Sequence, residues 1–310
     1  MQEFELIQKL IPLLPGNASL RVGAGDDCAV IDMGVPGREL LFKTDAVVEG
    51  IHFKPGEEPE RIGHKALARC LSDIAAMAGT PLAALVTLGL PPQFDPAVIE
   101  AIYRGMGTLA ERHGVAIAGG ETTTNPDRML LSIALIGWVE RGKAVLRGGA
   151  RPGDALFVTG ELGGSLAGKH LDFQPRLEEA RWLARHFEIH SMIDLSDGLA
   201  GDLRHILKAS HAGADMLATA IPLSRAARLA SRAKSSAKPA LLAALTDGED
   251  FELLFTLPGR LAVQLLDAWK KEFPKLRLSC IGKITADAGV RIRDKQGVRP
   301  LTVHGYSHFK

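Results

Sequence analysis

Three cysteines in 310 residues, Cys28, Cys70 and Cys280, lie far apart and share no metal-ligand spacing. So sparse and odd a set excludes a disulfide framework and reads as reduced thiols in a reducing compartment. No apolar run reaches the about 18 residues of a membrane span, so no transmembrane helix is expected. Met1-Gln2-Glu3-Phe4 offers neither the basic start nor the apolar core of a secretory leader. A cytoplasmic location is therefore expected. Charge of one sign is lacking too: 37 Lys and Arg against 36 Asp and Glu leave a formal charge of +1. Nucleic-acid or anionic-membrane partners favour a clear basic excess, so neither is expected. The chain has no Gly-x-x-x-x-Gly-Lys-Ser/Thr loop, no Gly-x-Gly-x-x-Gly opening a helix after a strand, and no His-Glu-x-x-His pair. Ser196 lacks the Gly-x-Ser-x-Gly elbow of a hydrolase nucleophile.

What is present suits two globular domains, with 46% hydrophobic and 24% charged residues. Apolar periodicity predicts strands over 27–32 and 39–44, then a helix over 62–78 carrying Ile62, Leu67, Cys70, Leu71, Ile74 and Met77 on one stripe. Gly79-Thr80-Pro81 stops that helix. A strand over 83–88 follows, and Asp95-Pro96 caps and starts a helix that ends at Gly114. A short strand over 115–118 leads into Gly119-Gly120-Glu121, and 129–139 reads as a buried strand. From Arg147 the chain turns to Arg-Gly-Gly-Ala-Arg-Pro-Gly-Asp, which places a domain boundary there and gives domains 1–148 and 149–310. The second half alternates again, with strands over 155–159, 192–194, 251–257 and 276–281 and helices over 178–186, 198–208 and 261–273. Segment 224–239 is expected to be flexible or a surface helix. Both halves mix helix and strand, so the class is α/β or α+β, without a short-period repeat.

The carboxylates form a pattern. Asp26-Asp27 follow Gly23-x-Gly25; Asp45 closes a strand after Lys43-Thr44; Asp73 sits in a helix among small residues. Glu121 follows Gly119-Gly120, Asp194 and Asp197 flank Ser196, and Glu249-Asp250 follow Gly248. Magnesium takes oxygen ligands from a few carboxylates plus waters and phosphates, and strand ends and glycine turns hold such ligands while phosphates approach the backbone. Each feature alone has a plainer reading: a Gly-Asp turn is usually only a turn, and Asp197-Gly198 is a helix cap. Asp73 is harder to dismiss, because a lone carboxylate near an apolar stripe is costly unless paired. His52, in Gly50-Ile51-His52-Phe53, is either a site residue or the polar end of a hydrophobic turn.

These segments, in order, resemble the thiamine-monophosphate kinase family. The resemblance is carried by Gly23-Ala24-Gly25-Asp26-Asp27-Cys28-Ala29, Thr44-Asp45 with Gly50-Ile51-His52-Phe53, Lys65-Ala66-Leu67-Ala68 and Leu71-Ser72-Asp73-Ile74-Ala75-Ala76-Met77. It continues through Gly119-Gly120-Glu121-Thr122-Thr123, Arg147-Gly148-Gly149-Ala150, Ile193-Asp194-Leu195-Ser196-Asp197-Gly198, Gly248-Glu249-Asp250-Phe251-Glu252 and Gly305-Tyr306-Ser307-His308-Phe309. The resemblance implies the aminoimidazole ribonucleotide synthetase-like fold, an N-terminal domain that binds ATP and magnesium and pairs into a homodimer, and ATP-dependent phosphorylation of thiamine monophosphate to thiamine diphosphate. By it, Asp27, Thr44, Asp45, Asp73, Glu121, Asp194 and Asp197 would hold magnesium ions. Gly120, Glu121, Arg147 and Ser196 would meet ATP, and His52, Glu249 and Tyr306 would meet thiamine monophosphate. Asp45, Asp73 and Arg147 are the expected catalytic set.

The inventory fits that chemistry. The acceptor is itself an anionic phosphate oxygen, so no general base is needed, and the obstacle is repulsion between two phosphate groups. Several magnesium ions and Arg147 would neutralise it and align the groups for in-line transfer. Tyr306 or His52 would pack on the cationic thiazolium, with Glu249 supplying opposing charge. The chain departs from the family in three places. Lys43 stands where a small hydroxyl residue is usual, and its ammonium either replaces one cation or points away. Glu121 stands for the usual Asp, and 168–190 is short. Two rival readings remain. One is another ATP-dependent enzyme of the superfamily, such as a selenophosphate synthetase, which would need a reactive cysteine near the N-terminus. The other is a lapsed, non-catalytic nucleotide- or thiamine-phosphate-binding homologue.

Overall fold

A computed structural model of the chain describes residues 3–233 and 237–306. In chain order it comprises α1 (Glu3–Leu10), β1 (Leu20–Val22), β2 (Ala29–Ile31), β3 (Arg38–Val48), α2 (Pro59–Ala76), β4 (Thr80–Leu90), α3 (Pro96–His113), β5 (Ala116–Thr124) and β6 (Leu130–Glu140). There follow β7 (Asp154–Thr159), α4 (Lys169–Asp172), α5 (Leu177–His186), β8 (Ser191–Asp194), α6 (Leu199–Ser210) and β9 (Gly213–Leu217). The last elements are α7 (Arg225–Ala233), α8 (Ala240–Thr246), β10 (Leu253–Pro258), α9 (Ala262–Glu272), β11 (Leu278–Thr285), β12 (Gly289–Asp294) and β13 (Gly297–Pro300). The class is mixed α/β with two sheets, as the pattern implied.

Asn17–Ala144 and His170–Leu177 make one compact unit. Its six-stranded sheet runs β1-β2-β3-β6-β4-β5 and is antiparallel apart from the β4–β5 pair. Strand alternation gives the sheet two faces. Leu41, Leu131, Ile133 and Leu135 are buried on the face that α2 covers, where they meet its Leu67, Leu71 and Ile74. On the other face Phe42 and Leu85 stand exposed. Asp95 accepts the Ala97 N–H at 2.9 Å to start α3, and Gly114, at φ 66°, ends it.

Two expectations for this sheet stop short. Asp45 lies inside β3, because β3 pairs with β6 all the way from Arg38 opposite Glu140 to Val48 opposite Leu130. Polar side chains at Lys43 to Asp45 interrupt the apolar run, yet the backbone ladder continues through them. Likewise β5 runs on to Thr124 instead of turning at Gly119-Gly120. A Cβ on Gly120 would lie 1.7 Å from the Val86 carbonyl oxygen, so glycine is what lets β5 lie against β4.

The remaining described residues make the second unit. Its seven-stranded sheet runs β13-β12-β9-β11-β7-β10-β8. β7 and β10 are buried along their whole length, and α6 packs Leu199, Leu203 and Ile206 into the core with Leu156, Val158, Ile193 and Leu254. Strands β9, β12 and β13 escaped the sequence reading, being short and bounded by glycine. Within segment 224–239, α7 is a helix on which Ala227 is buried, and residues 234–236 lie outside the described residues. Among the described residues no helix is long and apolar enough to cross a membrane.

Helices α2 and α3 cross through reciprocal glycines. A Cβ on Gly63 would lie 1.9 Å from the Ile102 carbonyl oxygen, and one on Gly105 would lie 1.9 Å from that of Glu60. Gly63→Ala or Gly105→Ala should cost at least about 2 kcal/mol by overpacking. Gly107→Ala, on α3 but with nothing within 4 Å of its added Cβ, should gain about 0.5–1 kcal/mol of helix propensity. Urea unfolding of the variants checks this ordering, and equal midpoints for Gly105→Ala and Gly107→Ala would sink it.

Candidate functional site

The first unit concentrates charge between β3 and α2. Lys43 and Asp45 are two residues apart on a strand, so both side chains point to the α2 face. Asp73 and Arg69 are four apart on α2 and share one side of the helix. A two-residue strand step of about 6.7 Å matches a four-residue helix rise of about 6 Å. The result is two crossed pairs: Lys43 Nζ lies 3.1 Å from Asp73 Oδ2, and Arg69 Nε donates to Asp45 Oδ2 at 3.2 Å. Burial opposes the charge on Lys43, but Asp73, Asp45 and Asp27 outweigh it and raise its pKa above the ordinary lysine value. Of the two orientations open to Lys43, the structure takes the one that sets an ammonium against the carboxylates. Asp27 is 1% and Asp73 6% exposed, and their oxygens come within 4.8 Å of each other.

Register separates the other expected ligands of this unit. Thr44 faces the opposite side of β3 from Asp45, and its Oγ1 is 3.4 Å from Ser132 Oγ. Glu121 pairs across β5–β4 with Thr87, which pairs with Ser132, so Glu121 also lies on that outer face. The structure thus groups Asp27, Lys43, Asp45 and Asp73 on one face and Thr44 and Glu121 on the other. His52 follows β3 in a turn whose Val48 N–H donates to His52 Nδ1 at 3.0 Å. Cys28 is no nucleophile: burial and then Asp73 push its thiol pKa up, and Met77 Sδ accepts its N–H at 3.0 Å.

In the second unit, Asp194 ends β8, opposite Leu253 of β10, and is 3% exposed. The turn after it carries Ser196 and Asp197 and is bound from two sides. The Glu249 N–H donates to Ser196 O at 2.7 Å, and the Tyr306 N–H donates to Asp197 O at 2.8 Å. Glu249 and Phe251 hold φ of 56° and 49°, a costly conformation for such side chains that the Glu249 bond and a 2.8 Å bond from the Phe251 N–H to Leu195 O maintain. Ser196, Asp197, Glu249 and Tyr306 are thereby brought together. Ser307, His308 and Phe309 lie outside the described residues.

Sequence reasoning missed Asp202 and His205. They sit three apart on α6, on one side of the helix, and each offers an atom within 4.8 Å of Asp197. Asp202 Oδ2 accepts the Asp197 N–H at 3.1 Å. Burial, then Asp197 and Asp194, push the Asp202 carboxyl well above its ordinary range, while Arg147 draws it down. Only that i, i+3 spacing after Asp197 could have signalled them. Asp250 and Glu252, both 1% exposed, serve the framework: Gly163 N–H donates to Asp250, and Thr159 Oγ1 and Lys169 Nζ donate to Glu252. The donors at Asp27, Asp45 and Asp73 are carboxylate oxygens alone, which fits a hard cation such as magnesium.

Residues 25–139 match the family model described as AIR synthase related protein, N-terminal domain. A thiamine-monophosphate kinase of Rhodopirellula baltica is 40% identical over 276 residues, covering 87% of this chain and 85% of the relative. The thiamine-monophosphate kinase of Bacillus subtilis is 33% identical over 338 aligned positions, covering 100% of each chain. Among solved structures, AaThiL complexed with AMPPCP and TMP aligns with a TM-score of 0.84 at 28% identity, covering 99% of this chain and 97% of that one.

Asp250 gives the second unit a pH signature. Burial pushes its pKa from 3.8 up to about 7. The native state therefore keeps a proton that the unfolded chain loses near pH 4. Its contribution is fully present below about pH 4, is lost as pH rises toward about 7, and is level above that. In Asp250→Asn the amide oxygen still accepts from Gly163 and the titration is gone. Its stability should vary less between about pH 4.5 and 7.5, by a few kcal/mol at most. Urea midpoints of both proteins across that range check it, and parallel curves would exclude the assignment.

Proposed function

The chain belongs to the thiamine-monophosphate kinase family, and we propose that it transfers the γ-phosphate of ATP directly, in line, onto the phosphate of thiamine monophosphate. The observation that carries this reading is the match to a curated relative along both whole chains, joined to carboxylates at Asp27, Asp45, Asp73, Asp194 and Asp197 that such a reaction requires. We assign 1–148 as the domain of ATP and magnesium binding and of dimerisation, and 149–310 as the C-terminal domain.

Within the first unit Asp27, Asp45 and Asp73 would hold magnesium on the α2 face, while Thr44 and Glu121 would hold it on the outer face; within the second unit Asp194 and Asp197 would hold it. Bound magnesium would supply the charge that offsets repulsion between the two phosphates. The protein adds its own cations. Lys43 places a fixed ammonium at Asp73; Gly120 and Glu121 of the first unit, and Arg147 and Ser196 of the second, would each meet the nucleotide. The acceptor oxygen is already anionic, so no side chain need remove a proton from it. His52, Glu249 and Tyr306 would receive thiamine monophosphate, Tyr306 or His52 against the cationic ring and Glu249 as its counter-charge. The exposed Phe42 and Leu85 on the outer sheet face support a homodimer formed through that face.

Incubation with ATP, magnesium and thiamine monophosphate should yield thiamine diphosphate, read as its fluorescent oxidation product. Product should vanish with a chelator or when thiamine replaces its monophosphate. Asp73→Asn should lower kcat at least about a hundredfold, a loss of near 2.7 kcal/mol of transition-state stabilisation. ATP binding without any product would instead favour the lapsed homologue. For the dimer, light scattering should find twice the chain mass for the wild type and the single chain mass for Phe42→Asp/Leu85→Asp; unchanged mass in the variant excludes that face.

A further inference from the structure

We propose that Lys65 and His170 form a buried positioning pair that holds the His52 turn in the shape that receives the acceptor. The inference rests on the reading of His52 as an acceptor contact. Lys65 lies on α2 and is 0% exposed. An ammonium so far from water is costly unless its protons are taken up by well-placed acceptors, and an apolar side chain of similar length would fill the space without that cost. What the ammonium adds is direction. Its Nζ donates to the main-chain oxygen of His52 and to Nδ1 of His170, the latter at 2.8 Å. An ammonium has donors only, so His170 must accept through Nδ1, which fixes its ring as the neutral Nε2–H tautomer.

Both ends of the pair are themselves held. The turn folds on the end of β3: the Gly50 N–H donates to Phe53 O at 2.7 Å and the His52 N–H to Val48 O at 2.9 Å. Gly50 adopts φ 79° there. Lys65 ties this turn to α2 through the carbonyl of the very residue whose side chain is assigned to the acceptor. His170 begins the segment His170–Leu177, which belongs to the same compact unit. That segment is fastened to α2 and α3 by Arg61 Nε donating to Asp172 at 2.9 Å, by His64 Nε2 at 2.8 Å from Phe173 O, and by Arg112 donating to Gln174. A residue 105 positions away in sequence thus supplies a second acceptor to the lysine that orients His52. Lys65 and His170 need not touch the acceptor; they act through the turn.

Thiamine monophosphate binding is measured by calorimetry, and steady-state KM values are taken for both substrates, on the wild type, His52→Ala, Lys65→Met, Lys65→Arg, His170→Leu and His170→Asn. Lys65→Met and His170→Leu should raise Kd and KM for thiamine monophosphate about tenfold, the size of one hydrogen bond to a charged group. The KM for ATP and kcat should stay within about twofold. His170→Asn, which keeps an acceptor, and Lys65→Arg, which keeps the charge, should recover part of the loss. If Lys65→Met does not fold, His170→Leu decides. An unchanged Kd in folded His170→Leu, or equal rises in both KM values, overturns the positioning role. A rise in His52→Ala without one in His170→Leu overturns positioning alone. No effect of His52→Ala overturns the acceptor reading and the inference with it.

Discussion

Carboxylates can share the space between β3 and α2 only because two cations are crossed between them. Asp45 and Asp73 are drawn in from a strand and a helix, and Lys43 and Arg69 come from the same two elements in the opposite order. The arrangement needs the matching repeat lengths of strand and helix, and it needs α2 lying close on the sheet. Small residues supply that closeness. A Cβ on Gly79 would lie 2.4 Å from Leu41 Cδ1, and the glycines at the α2–α3 crossing do the same on the far side of the helix. Charge and packing are therefore one problem here: widen the gap, and the carboxylates lose their counter-charges.

The second unit solves a related problem by backbone geometry. Its acidic turn after β8 is shaped by hydrogen bonds from residues far along the chain, at Glu249 and Tyr306, and by Asp202 beneath it. Left-handed φ at Glu249 and Phe251 is tolerated because those bonds fix it. The strain leaves Glu249 half-exposed just ahead of two framework carboxylates, Asp250 and Glu252, whose oxygens accept hydrogen bonds inside. Neighbouring residues of one motif thus do opposite work, one facing outward and two holding the loop.

The sequence by itself determined the family, the mixed class, the principal helices and the places where carboxylates gather, because these rest on local signals: apolar periodicity, the Asp95-Pro96 start, glycine turns and acidic segments in a fixed order. Strand length escaped it, since cross-strand pairing carries β3 through Asp45 and β5 through Glu121 regardless of local polarity. So did the division of Thr44 and Glu121 from Asp45 and Asp73, which depends on which residue opposes which across β6 and β4. Asp202, His205, Lys65 and His170 were also illegible. Their meaning comes from partners brought close by folding, and the distance between a lysine and a histidine 105 residues on is set by the tertiary packing of the segment around α2, which no local pattern encodes.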